Sequence, residues 1–275
     1  MPAIQLARLK IHVAGLVDLF DQPARFRREL HDVFNYYADR TYRPGQSGLL
    51  PPLLPNYHIS IPVIRQIETD LLPLALANPS AALSLADELW GDTVLEPRML
   101  AVYLFSQVPA NPANPLVERL VRWARPEEDR QVLTVLLTQG TGRLQHEQPE
   151  VWAGLIKNWL AASDSIIQSF GLRATLSMIT DPGFENLPDI FRLISPLMQT
   201  VPPKLQSDLA GVIEASARRW PVETAYFLRQ ILSISQGSGV QRITRRCLPL
   251  FNPDLQASLR GAMQAQAARQ AELRQ

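Results

Sequence analysis

The sequence has a single cysteine, Cys247, and only three lysines, Lys10, Lys157 and Lys204. One cysteine excludes an internal disulfide framework and a cysteine zinc cluster, and it fits a reducing, cytoplasmic setting. The 27 Lys and Arg against 26 Asp and Glu leave a net charge of +1, so no global field draws the chain to a polyanion. Any nucleic-acid affinity has to come from a local patch. Long apolar runs are missing as well. The stretch after Arg8 and Lys10 is broken by His12 and Asp18, too short and too amphipathic for a signal peptide or a membrane span. The four histidines, His12, His31, His58 and His146, are scattered and form no metal face, so neither a metal nor another cofactor is expected. There is no glycine-rich phosphate loop, since Gly237-Ser238-Gly239 follows no strand and reads as a turn with a helix N-cap. A serine nucleophile elbow is absent too, and Cys247, between Arg246 and Leu248, reads as a small buried residue.

What is present is helical periodicity. Asn78 to Val108 parses as two helices with a very short connection. Asn78 caps, Pro79 takes the first helical position, Leu83, Leu85, Leu89 and Trp90 give one apolar face, and Gly91 stops the helix. The second helix opens at Leu95-Glu96-Pro97 and carries Met99, Leu100, Tyr103 and Leu104 at three- and four-residue spacings. Such a hairpin cannot bury both apolar faces alone, which implies neighbours of the same kind.

The same periodicity runs through Ile4 to Phe20 and Arg25 to Asp39, which can pair, and through Ser60 to Leu76, where Pro73 should kink the last turn. Further helices are expected over 115–125, 126–138, 149–161, 165–179, 184–199, 203–220, 221–234 and 239–250, with no strand pattern between them. Many of the 23 prolines stand at these starts, where a missing N–H costs nothing: Pro79, Pro97, Pro115, Pro126, Pro149, Pro203, Pro221 and Pro253. The Ala-, Gln- and Arg-rich tail from Asn252 should begin as a docked helix on Leu255, Leu259 and Met263 and then fray. The expected fold is an all-α, HEAT-like helical-repeat solenoid, an α-α superhelix. It divides into an N-terminal helical pair at 1–40, a Pro/Gly-rich linker at 41–58 and a repeat domain at 59–275 that continues from the pair. A non-repetitive helical bundle is the structural alternative.

The run Tyr57 to Ile67, with Ala86-Asp87-Glu88-Leu89-Trp90 and Glu96-Pro97-Arg98-Met99-Leu100-Ala101, resembles the DNA alkylation repair family of HEAT-like-repeat alkylpurine DNA glycosylases. The likeness continues through Leu116 to Trp123, Trp159 to Ala174 and Pro221 to Arg246. The resemblance implies a concave, positively lined groove that holds duplex DNA by its backbone, with tryptophans and an aspartate against the damaged nucleotide. The chemistry is plain: a carboxylate stabilises positive charge developing on the sugar, and aromatic faces hold a cationic base. This chain departs from that pattern. Where the family has its carboxylate after the Trp123-type helix, Glu127-Glu128-Asp129 follows Pro126 as a helix N-terminus would demand, and the next positions are apolar. Where a second tryptophan and paired arginines are expected, Ile166 and Ile167 stand instead and only Arg173 remains, while Trp152 and Trp159 read as core or groove wall. No catalytic residue is carried over.

The basic residues that remain as DNA-binding candidates are Arg218-Arg219 and the set Arg242, Arg245 and Arg246, whose spacing puts the three on one helix face. Arg173 and Arg143 join them as weaker candidates. The leading expectation is a protein that binds duplex DNA with glycosylase activity reduced or absent. Two alternatives are a scaffold that holds a partner protein's peptide or helix in its concave face, and an active glycosylase with a rearranged site that uses Glu127, Glu128 or Asp129.

Overall fold

The computed structural model describes residues 5–41, 54–125 and 128–272. Most of the 41–58 linker, together with Pro126 and Glu127, lies outside the described residues. The described chain is all-α: α1 (Leu6–Val17), α2 (Pro23–Tyr37), α3 (Ile61–Ala77), α4 (Pro79–Trp90), α5 (Leu95–Gln107), α6 (Asn114–Trp123), α7 (Arg130–Val135), α8 (Gly142–Glu147), α9 (Pro149–Leu160), α10 (Ser165–Thr180), α11 (Leu187–Thr200), α12 (Gln206–Arg219), α13 (Pro221–Ile234), α14 (Gly239–Cys247) and α15 (Pro253–Glu272). A π-helical turn at Leu136–Gly140 follows α7, and 3₁₀ turns at Pro203–Leu205 and Leu248–Leu250 flank α12 and α14. Among the described residues no helix is long and apolar enough to cross a membrane.

Proline sits in the first or second helical position of α2, α3, α4, α6, α11 and α13, where its fixed φ is already helical and no hydrogen bond is lost. Caps complete several starts. The Asn78 side chain accepts from Ala81 N at 3.1 Å, Asp164 from Ile166 N at 2.8 Å and Asn252 from Leu255 N at 2.9 Å. Ser238 precedes α14 as expected but makes no side-chain cap. The acidic run after Pro126 also behaves differently from its reading as one helix start. Asp129 caps α7, accepting from Gln131 N and Val132 N, so the helix begins at Arg130 and Glu128 is left to pair with Arg98.

The chain forms two compact units, Met1–Val151 and Trp152–Gln275. Within each, a helix packs on its neighbour and on the helix two further along: α1 on α3, α2 on α4, α3 on α5 and α5 on α7 in the first unit. The second unit repeats the rule with α10 on α12, α11 on α13, α12 on α14 and α13 on α15. That is the packing of a two-layer helical repeat, in which each apolar stripe is buried by the next hairpin. In the first unit Leu9, Val13 and Leu16 of α1 meet the Val63, Ile67 and Leu71 stripe of α3, all essentially inaccessible. Leu6, read as part of the α1 stripe, is 63% exposed instead. The helix α5 is buried on nearly every side, including Glu96, Pro97 and Ala101, because Leu-Ala-Val-Tyr-Leu-Phe at 100–105 offers almost no polar face.

The second unit closes with α15. Its last turns do not fray after Met263: Gln266 donates to Ser235 O at 2.8 Å, Arg269 to Ser233 O at 2.5 Å and Leu232 O at 2.9 Å, and Gln270 to Gln236 O at 2.9 Å. These polar side chains satisfy the orphan carbonyls at the end of α13, so a composition that looks unsuited to docking docks by hydrogen bonds.

Candidate nucleic-acid interface

The helices α12 and α14 pack side by side and carry the largest group of sequence-picked arginines. Arg218 lies exposed in the last turn of α12, and Arg242, Arg245 and Arg246 project exposed from α14. Both helices place basic residues in their last turns, where the partial negative charge of the helix end favours them. Arg246 Nε donates to the Glu214 carboxylate of α12. Arg218, Arg242 and Arg245 have no carboxylate within ion-pair distance among the described residues. Beneath them lies Cys247, fully buried. Burial pushes its thiol up to about 12 and Glu214 adds to the shift, while Arg246 and Arg218 oppose it. The thiol is therefore neutral and shielded, which leaves the cationic side chains as the chemically available groups.

Three further candidate arginines have other partners. Arg219 turns away from Arg218 and donates to the backbone oxygens of Ile179 (2.9 Å), Pro182 (2.8 Å), Phe184 (2.6 Å) and Asp181. Its guanidinium also lies 4.2 Å from the Trp220 ring centroid. It closes the end of α10 and holds the loop that leads to α11. Arg173 of α10 has a side chain only 14% exposed, with Nε 3.8 Å from Asp208 Oδ1, and Ser169 donates to the same carboxylate. Arg143 pairs with Glu147 one turn on, at 3.1 Å.

In the first unit the structure assembles a site that the sequence did not reveal. Trp90 and Trp123 stack with ring centroids 4.5 Å apart and planes 3° from parallel. A cavity of about 540 Å³ elsewhere in this unit is lined by Asp32, Tyr36 and Arg40, but the one beside the tryptophans is about 390 Å³ and combines Asp87, Arg122, Arg125 and Glu128 with the two rings. Asp87 is bound by Arg119 Nη2 at 2.8 Å and by Arg122, and Glu128 by Arg98, whose guanidinium is 5.7 Å from the Trp90 ring centroid. Carboxylates beside aromatic rings are thus present, but each carboxylate already has an arginine, and each indole turns a face to the other. The pairing was hidden because Asp87 and Glu128 come from separate elements. They come together as walls of one cavity, Asp87 held by arginines of α6 and Glu128 by Arg98 of α5.

A second polar cluster also draws on distant segments. His31 of α2 sits between Tyr57 Oη, 2.9 Å from Nδ1, and Asp92 Oδ2, 2.8 Å from Nε2. Glu96 accepts from the Tyr57 N–H at 2.8 Å, so this network ties α2 to the start of α5 through residue 57. Trp152 and Trp159 meet edge to face at 6.0 Å, both buried, and are core residues. Among the described residues no group of three or more His, Cys, Asp or Glu side chains converges on a metal-sized site.

The model of the DNA alkylation repair enzyme family matches residues 36–246. No curated protein matches the sequence. Among solved structures, the crystal structure of smu.31 from Streptococcus mutans UA159 superposes with a TM-score of 0.51 at 15% identity, covering 69% of this chain and 98% of that one. At that identity the likeness is one of fold.

Proposed function

The chain belongs to the DNA alkylation repair enzyme family, and from that premise we propose that it binds duplex DNA through the arginine face of α12 and α14, with glycosylase activity reduced or absent. The observation that carries the reading is the set Arg218, Arg242 and Arg245: three exposed cations on adjacent helices with no carboxylate partner among the described residues, beside a fourth, Arg246, held by Glu214. Guanidinium groups spaced one helical turn apart suit successive phosphates of a strand, and such contacts position DNA without reading its sequence. Reduced chemistry is supported by the first unit. A carboxylate neutralised by arginine stabilises a developing cation on the sugar poorly, and two indoles stacked on each other offer no free face between them for a base.

Fluorescence anisotropy tests the binding. The probes are a labelled duplex carrying an abasic-site analogue and an undamaged duplex, each at low and physiological salt. We expect binding that weakens steeply with salt and varies little with sequence, and that is reduced by Arg242→Ala with Arg245→Ala. Absence of binding at low salt removes the reading.

One observation favours a second reading, base excision at the Trp90–Trp123 cavity: Asp87 and Glu128 both line it. Release of an alkylated purine from duplex DNA that is abolished by Asp87→Asn or Glu128→Gln would replace the first reading's inactive site with a rearranged active one.

A further inference from the structure

The outer face of the α11–α13 layer does not look like a solvated surface. Inward, α11 buries Ile190, Ile194, Leu197 and Met198, and α13 buries Ala225, Leu228, Ile231 and Leu232. Those stripes satisfy the packing of the two-layer unit. The opposite faces should be polar, yet between them runs a groove of about 980 Å³ floored by Phe191 and Phe227. The two rings are stacked at 4.2 Å with planes 3° apart, so the floor is preformed. Its wall on α13 is Val222 and Tyr226, 61% and 55% exposed, and Ile234 at 57% extends the same side of the helix. Val222 and Tyr226, four residues apart, and Ile234, two turns further on, leave apolar groups in water along the 14-residue α13, roughly 21 Å long, a strip of the length another helix would cover.

The rim gives the sign of the partner. Glu185, just before α11, and Glu223, in the first turn of α13, both border the groove, both are exposed, and neither has a partner among the described residues. The cation within the groove, Arg192, pairs with Asp189 at 2.8 Å. One end of an apolar groove thus carries two free carboxylates, which repel phosphate and attract a basic side chain. The wall at that end is rigid, because Arg219 binds four backbone oxygens of the 179–184 segment leading to Glu185 and stacks on Trp220, itself a lining residue. Rigidity before binding lowers the cost of docking.

We propose that the α11–α13 groove docks an amphipathic helix of a partner protein, with its apolar stripe over Phe191, Phe227 and Tyr226 and a lysine or arginine over Glu185 and Glu223. This surface is independent of the arginine face on α12 and α14. Its unpaired charges are acidic, since its one lining cation among the described residues, Arg192, is paired with Asp189, where that face is basic, so the protein can hold DNA and a partner on different surfaces.

The test uses the full chain and two labelled peptides of about four turns. Both are amphipathic Leu/Ala helices; one carries two lysines in its last turn and the other two glutamates there. The lysine peptide should bind saturably, and the glutamate peptide at least about tenfold more weakly. Val222→Asp and Tyr226→Asp, at exposed positions, should each remove binding by about tenfold or more, with an unchanged circular-dichroism spectrum showing that the fold is intact. Glu185→Lys with Glu223→Lys should reverse the preference between the peptides, while Arg242→Ala with Arg245→Ala should leave it alone, which separates this proposal from the fate of DNA binding. Equal affinity for both peptides, no saturable binding, or no reversal by the charge swap overturns the proposal. So does concentration-dependent dimerisation of the protein abolished by Val222→Asp, which would make the occupant a second copy of this chain.

Discussion

Arg218 and Arg219 are adjacent, identical in type and indistinguishable by pattern, yet the structure gives them opposite roles. Arg218 is a free exposed cation, and Arg219 is bound to the segment that closes α10. Arg219→Ala should lower stability by about 2 kcal/mol, since charge-assisted bonds to several carbonyls are lost together. Lysine should restore little of this, because one ammonium cannot reproduce the planar fork. Arg218→Ala should leave the melting temperature almost unchanged and weaken DNA binding instead. Thermal unfolding and anisotropy on the same two variants read both effects, and a reversed pattern would contradict the assignment. Cys247 offers a second check at this scale. With burial holding its thiol at about 12, it is protonated across the whole physiological range. A thiol reagent at pH 8 should leave it unmodified in the native protein and modify it fully in denaturant. Native-state labelling at the rate of a free thiol would show that the site opens. Its place under the arginines could not be read from Arg246-Cys247-Leu248, but its burial could, because Val240, Ile243 and Cys247 follow helical spacing.

Among the elements, most helix starts were legible and several ends were not. Prolines at first positions, with Asn and Asp before them, are local devices that act within one turn of chain. The end of α15 depends on carbonyls of α13 and Gln236, and nothing within the tail announces them. Close helix approach is likewise invisible locally. A Cβ on Gly171 of α10 would lie 2.8 Å from Leu160 Cγ at the end of α9, and one on Gly239 at the start of α14 would lie 2.5 Å from Val201 Cβ. Gly171→Ala should therefore cost on the order of 1–3 kcal/mol through overpacking. Gly239→Ala should cost more, because its neighbour is an atom fixed to the backbone. Val201 itself adopts left-handed backbone at φ 42°, where glycine is at ease and a β-branched residue is strained. Val201→Gly should accordingly rescue much of the loss caused by Gly239→Ala, and additive losses in the double variant would refute the contact.

For the whole molecule the decisive fact is that a net charge of +1 conceals segregation. Free arginines gather on α12 and α14, free carboxylates border the α11–α13 groove, and the acids beside Trp90 and Trp123 are held by arginines. If three arginines reach phosphates, the slope of log affinity against log salt should be about −3, since each contact contributes about −0.9. Glu214 restrains the fourth. Glu214→Gln should release Arg246, tighten binding at low salt and steepen the slope by about one. An unchanged slope in that variant would mean that Arg246 takes no part in the interface.

The sequence by itself determined the all-α architecture and most helix starts, because helical periodicity, N-terminal proline and side-chain caps act over a few residues. The resemblance of Tyr57 to Ile67 and of the segments after it also pointed to the family whose model matches residues 36–246. Only the tertiary structure decided which charges are free. The partners of Asp87, Glu128 and Arg219 lie some thirty to forty residues away along the chain, and a side chain's availability depends on what the packed neighbour presents to it. Helical spacing says which face a residue occupies, but it does not say whether a carboxylate or a carbonyl waits opposite.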